Sequence, residues 1–114
     1  MFLANKAIKM NPIHVIDFAD FKIAQYQPRY DASKSKFDAM LETYKSASWF
    51  KKLFTDNPHN SDWDHWWVGS WIDQLNEIKR EAVYKMKMEY NFMDIPKDWQ
   101  KHFYKWASDN NIPF

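Results

Sequence analysis

An all-α fold, a small bundle of four or five helices built around one long central helix at about 62–91, follows from three features of the 114-residue chain. Apolar residues recur at steps of three and four over most of its length, which is the helical period. A single glycine, Gly69, and the absence of Asn-Gly and Asp-Gly pairs leave tight hairpins without their usual turn residues. Pro, Asn and Asp cluster instead between the periodic segments, as they do in loops that join helices. With 46% hydrophobic and 19% aromatic residues, the whole of 1–114 reads as one helical domain with a substantial core.

Residues 2–9 suit a short helix with Leu3, Ala4, Ala7 and Ile8 on one side. Asn11-Pro12 is a helix-start signal, a capping side chain followed by proline at the first helical position. Over residues 13–26, Ile16, Ala19, Ile23 and Tyr26 have helical spacing, and Val15, Phe18 and Phe21 widen the apolar surface. The β-branched and aromatic content of this stretch, partly alternating, leaves a strand open there. Pro28 ends the segment. A third helix begins near residues 33–35, where Ser35 and Asp38 have capping-box spacing. It carries Phe37, Met40, Tyr44, Ala47, Phe50 and Phe54 on its apolar stripe, thickened by Leu41 and Leu53. Ser46-Ala47-Ser48 is a weak point at which it bends, and Asn57-Pro58-His59-Asn60 is a loop.

Ser61 and Asp64 again have capping-box spacing, and acids in the first turn suit the helix dipole. Trp67, Trp71, Leu75, Ile78, Ala82, Met86 and Tyr90 then form the core stripe of the central helix, flanked by Val68, Ile72 and Val83. Glu81 and Lys85 make a favourable i,i+4 pair on its wet side. At 1.5 Å per residue this helix spans roughly 45 Å, against a radius of gyration near ~13 Å for a domain of this size. It therefore bends, at Gly69, or projects toward a partner. The last helix runs from Pro96 to about Asp109, with Trp99, His102, Phe103 and Trp106 facing one way. Asn110-Asn111 supplies a left-handed stop, and the apolar tail with Ile112 and Phe114 folds back.

Charge excludes more than it suggests. The 16 basic and 15 acidic residues leave a net charge of +1, so no electrostatic footprint for nucleic acid is present. Arg29 and Arg80 are the only arginines, and arginine is the preferred bidentate reader of phosphate and guanine. The absence of cysteine removes disulfides, thiolate metal sites and cysteine nucleophiles. One glycine is too few for phosphate-cradling loops, dinucleotide fingerprints or nucleophile elbows. Neither a transmembrane stretch nor a signal peptide is legible. A cytoplasmic protein, of a bacterial or virus-infected cell, is expected, with no membrane partner. Lysine and asparagine richness fits an AT-rich genome.

Four of the seven tryptophans lie at Trp63, Trp66, Trp67 and Trp71. Trp67 and Trp71 stack along the stripe with Leu75 and are expected in the core. Trp63 and Trp66 fall at other angles, and Trp66 shares a side with Tyr84 and Met88 further along. The expected partner-binding surface is therefore Trp63, Trp66, Asp73, Glu77, Arg80, Tyr84 and Met88, since tryptophan combines large area with an N–H donor. The expected partner is another protein or a second copy of the chain, and the expected role is non-enzymatic, that of an accessory factor or phage-type effector. One alternative is a module using the same aromatics for single-stranded nucleic acid or a small ligand. A second is a metal-dependent enzyme at His59 and His65 with Asp62 or Asp64. That cluster lacks any i,i+4 histidine pair, so loop and capping roles explain it better. No catalytic, metal-binding or cofactor-binding residue is assigned.

Overall fold

The computed structural model of the chain describes residues 9–54 and 56–113, with residues 9 and 10 as backbone only. Four α-helices occur among them: α1 (Pro12–Ser46), α2 (Trp49–Lys52), α3 (Asp64–Lys87) and α4 (Lys97–Asp109). A short antiparallel pair, β1 (Lys9–Met10) with β2 (Met93–Asp94), sets Lys9 opposite Asp94 and Met10 opposite Met93. Pro58–Asn60 forms a 3-10 turn. The fold is thus an all-α small bundle. The helix expected over residues 2–9 lies mostly outside the described residues, and Lys9 itself is in β1.

The longest helix is α1, with 35 residues, rather than the expected one at 62–91, which is α3 with 24. The difference arises at Pro28, which lies inside α1 and does not end it. Proline removes the N–H that would bond the carbonyl of Ala24, four residues back. Both Pro28 and Ala24 are exposed, so water can satisfy that carbonyl. Residues 13–26 are accordingly helix, and the stretch expected to start a third helix near 33–35 is a continuation of α1. α1 stops at Ser46, at the weak point, and Ser48 caps α2 by accepting the N–H of Lys51 at 3.3 Å.

Two compact units divide the chain. One joins the part up to Ile23 with the part from Asp73, and the other is Ala24–Ile72, so α1 and α3 each contribute to both. The first unit holds most of the buried side chains. Val15, Phe18 and Ala19 of α1, Leu75, Ile78 and Ala82 of α3, Met93 and Ile95, and Trp99, Phe103, Trp106 and Ala107 of α4 are all buried. Phe18 lies edge-on to Phe103 and Trp106 at 5.2 and 5.8 Å, a favoured aromatic geometry. Trp99 Nε1–H donates to Gln74 Oε1 at 3.0 Å, so its indole is buried without leaving a polar atom stranded. The expected apolar face of residues 13–26 is turned: Val15 and Phe18 are buried while Ile16 and Ile23 are half-buried and Phe21 is exposed. On α4 three of the four expected residues are buried; His102 is exposed, its ring 5.2 Å from Trp99.

The C-terminal ends of α3 and α4 both carry helix-terminating turns. After α3, Tyr90 N–H bonds Lys85 C=O at 2.9 Å and Glu89 N–H bonds Met86 C=O at 3.1 Å, with Glu89 at φ 60°. After α4 the same pattern runs from Ile112 to Ala107 at 2.8 Å and from Asn111 to Ser108 at 3.2 Å, with Asn111 at φ 56°. These are paired-bond stops built around a left-handed residue. The second is the stop expected at Asn110-Asn111. The expected Glu81–Lys85 pair also forms, at 3.7 Å.

The Ala24–Ile72 unit has a smaller buried set, Phe37, Val68, Pro58 and one polar residue, His65. Phe50, Leu53, Phe54 and Met40, expected on a core stripe, are exposed. Once α1 breaks after Ser46, the three-four periodicity cannot carry its register to Phe50, Leu53 and Phe54, whereas Met40 lies within α1 on its exposed side. The expected bend at Gly69 is absent; α3 runs through it, and the missing Cβ instead makes room for Tyr30, whose Cε2 would lie 3.1 Å from a Cβ there.

Candidate interaction site

The N-terminal turn of α3 is organised by a residue far away in sequence. Ser61, expected to cap it, lies three residues before its first helical residue, Asp64. The hydroxyl of Ser33, on α1, accepts the backbone N–H of His65 at 3.0 Å and also contacts the His65 Nδ1 at 2.9 Å. One of the orphan donors of the first turn is thereby satisfied from a neighbouring helix. Asp64 is held by Arg29, whose Nε and Nη2 donate to its two oxygens at 2.7 and 2.6 Å. The guanidinium keeps this carboxyl below the usual carboxylate range, and Arg29 also lies over the Trp71 ring at 5.4 Å. Trp71 is half-buried against Tyr26, their rings 5.4 Å apart.

Phe37 is the hub of the aromatic cluster. Trp63 meets it edge-on at 5.3 Å, His59 at 5.2 Å and Trp66 at 6.1 Å, and His65 lies 5.2 Å away. Trp63 is half-buried, and its Nε1–H donates to the Pro58 carbonyl at 2.8 Å. Trp66 is 40% exposed, and Trp67, next along the chain, is 58% exposed. Trp67 was expected in the core and is not. The buried line on α3 is Val68, then half-buried Trp71, then Leu75, Ile78 and Ala82. That line alternates steps of three and four, which tracks one helix face better than the four-four start that includes Trp67. Met86 and Tyr90, at the other end of the expected stripe, are exposed as well.

The seven residues of the expected partner surface are divided between the units. Trp63 and Trp66 meet on Phe37 in the Ala24–Ile72 unit. Asp73, Glu77, Arg80, Tyr84 and Met88 belong to the other unit, where Glu77 and Arg80 form an ion pair and Tyr84 and Met88 are exposed. The four side chains of the metal alternative are used separately. Asp64 binds Arg29, His65 binds Ser33, and the His59 ring packs on Phe37. Among the described residues no group of three or more His, Asp or Glu side chains is placed to hold a metal ion.

His65 is a buried imidazole whose pKa is lowered, first by loss of solvation and then by the Lys34 ammonium, with Asp38 and Asp64 opposing. A neutral ring suits its geometry, with Nδ1 accepting the Ser33 hydroxyl proton. This constellation ties the first turn of α3 to α1.

The architecture and this cluster define a small all-α protein with aromatic side chains displayed from a hydrogen-bonded base. No protein-family model, no curated protein and no solved structure matches the chain. Sequence reasoning missed Trp67 and the segment Trp49, Phe50, Leu53 and Phe54, all exposed. The second was signalled by Ser48, a capping residue that resets the helical register.

Proposed function

We propose that this chain is a non-enzymatic interaction protein that binds another protein through the exposed indoles at the start of α3. The observation that carries this reading is the side-by-side exposure of Trp66 and Trp67, at 40% and 58%, above a base tied down by Ser33, His65 and Phe37. Large aromatic side chains on a rigid support lose little conformational freedom on binding and dominate interface energetics. Tyr84 and Met88, exposed in the other unit, are a separate candidate contact. The setting we assign is cytoplasmic, as an accessory factor or phage-type effector; the lysine- and asparagine-rich composition supports the latter.

The test is retention of a partner from lysate of the source cell, alongside solution mass, for the native chain and for Trp66→Ala with Trp67→Ala. We expect a retained protein that the double variant loses while keeping its helical circular dichroism. A chain that is strictly monomeric and retains nothing overturns the reading.

A further inference from the structure

The four most exposed large apolar side chains among the described residues are Trp49 (74%), Phe50 (60%), Leu53 (67%) and Phe54 (79%). Three of them form a chain of ring contacts: Trp49 meets Phe50 edge-on at 5.9 Å, and Phe50 meets Phe54 at 5.6 Å. Leu53 continues α2 in right-handed helical conformation. At 100° per residue the four therefore span an arc of roughly 140°, with Lys51 and Lys52 on the remainder. Between Glu42 and Asp56 the chain carries three lysines, Lys45, Lys51 and Lys52, and no carboxylate. Lys52 Nζ lies over the Tyr44 ring at 5.4 Å.

From this pairing of an exposed aromatic arc with local positive charge, we infer that residues 45–54 dock on the headgroup–acyl boundary of an anionic lipid bilayer. Trp, Phe and Leu on one side and lysine on the other is the composition of interfacial segments. The lysine stems run along apolar surface while their ammonium groups reach anionic headgroups. A second copy of the chain fits less well, because two-fold pairing sets the same three lysines against one another. A protein groove that receives a helix reads anchors at i, i+3, i+4 and i+7, a span that the four residues of α2 do not provide. A fluid lipid surface needs no such register. No helix among the described residues is long and apolar enough to cross a membrane, and the expectation of no membrane partner rested on that criterion. An interfacial segment of one turn escapes it. The inference is independent of the protein-binding reading, which uses Trp66 and Trp67.

The test is co-sedimentation of the full chain with phosphatidylcholine vesicles containing or lacking about 30% phosphatidylserine, at low and at high salt. We expect pelleting with the anionic vesicles at low salt, reduced by high salt. The pair Trp49→Ser and Phe54→Ser should lower partitioning at least about tenfold, as should Lys51→Glu with Lys52→Glu. Trp67→Ser should leave it unchanged. All these positions are exposed except half-buried Lys52, and helical circular dichroism checks the fold of each variant. Three results overturn the inference: no pelleting with anionic vesicles, undiminished pelleting of both paired variants, or a dimer or acidic-protein complex that Trp49→Ser abolishes in place of vesicle binding.

Discussion

Ser33 and His65 are joined twice, the serine Oγ accepting the histidine backbone N–H at 3.0 Å and meeting its Nδ1 at 2.9 Å. One hydroxyl thus completes the first turn of α3 and fixes the ring beneath the tryptophans. Ser33→Ala leaves both groups short of a partner in a site where His65 is buried. We expect a loss of about 1–3 kcal/mol in urea denaturation, with Ser33→Thr recovering part of it. An unchanged midpoint for Ser33→Ala would show that water replaces the hydroxyl.

The same histidine gives the fold a pH dependence. Burial and Lys34 lower its pKa, so the folded state favours the neutral ring. Its contribution is complete above the ordinary imidazole value of about 6.5 and is lost as pH falls through the lower folded value. Stability should decline as pH falls below about 6.5, and His65→Gln should flatten that decline. His102, also lowered by desolvation with Lys22 and Lys101 adding to it, leaves a residual slope of the same sign. Identical slopes for the two proteins would remove His65 from the account.

Gly69 tests the close approach of α1 to α3 inside the Ala24–Ile72 unit. A Cβ there meets Tyr30 Cε2 at 3.1 Å and Cδ2 at 3.5 Å. Alanine gains about 1 kcal/mol of helix propensity against a small shift of the tyrosine ring. Leucine overfills the space and should cost about 1–3 kcal/mol. Tyr30→Ala should relieve the leucine variant specifically, read as a coupling in a double-mutant cycle by thermal denaturation.

Glu89 holds a left-handed conformation, φ 60°, that suits glycine. Its backbone bond to Met86 and the adjacent one from Tyr90 to Lys85 depend on that conformation. Glu89→Gly should raise stability by roughly 0.5–1 kcal/mol, read as an increase in the denaturation midpoint. Asn111, at φ 56° after α4, is better suited to its position, and Asn111→Gly should change stability less.

Several elements were legible because their signals are local. Asn11 Oδ1 accepts the N–H of Ile13 at 3.0 Å ahead of α1, as Asn11-Pro12 announces. Asn57 does the same for His59 at 3.0 Å in the loop. The break at residues 46–48, the extent of α4 and the stop at Asn111 also follow from neighbouring residues alone. The candidate site was half legible. Trp66 is exposed and Trp63 packs on Phe37, while Trp67, expected in the core, faces out, and Phe50, Leu53 and Phe54 left the core when α2 restarted with a new register.

The sequence by itself determined the helical class and most helix ends, because period, proline, capping side chains and left-handed residues act through backbone neighbours. Three matters were decided only by tertiary structure. α1 continues through Pro28, where solvent is available to Ala24 and where Arg29 and Ser33 further on hold Asp64 and His65. α3 is capped by Ser33 rather than Ser61. Val68 rather than Trp67 turns inward. Each is a choice among locally equivalent options a fraction of a turn or one hydrogen bond apart, and for the first two the contacts that favour the observed option join residues over thirty positions apart.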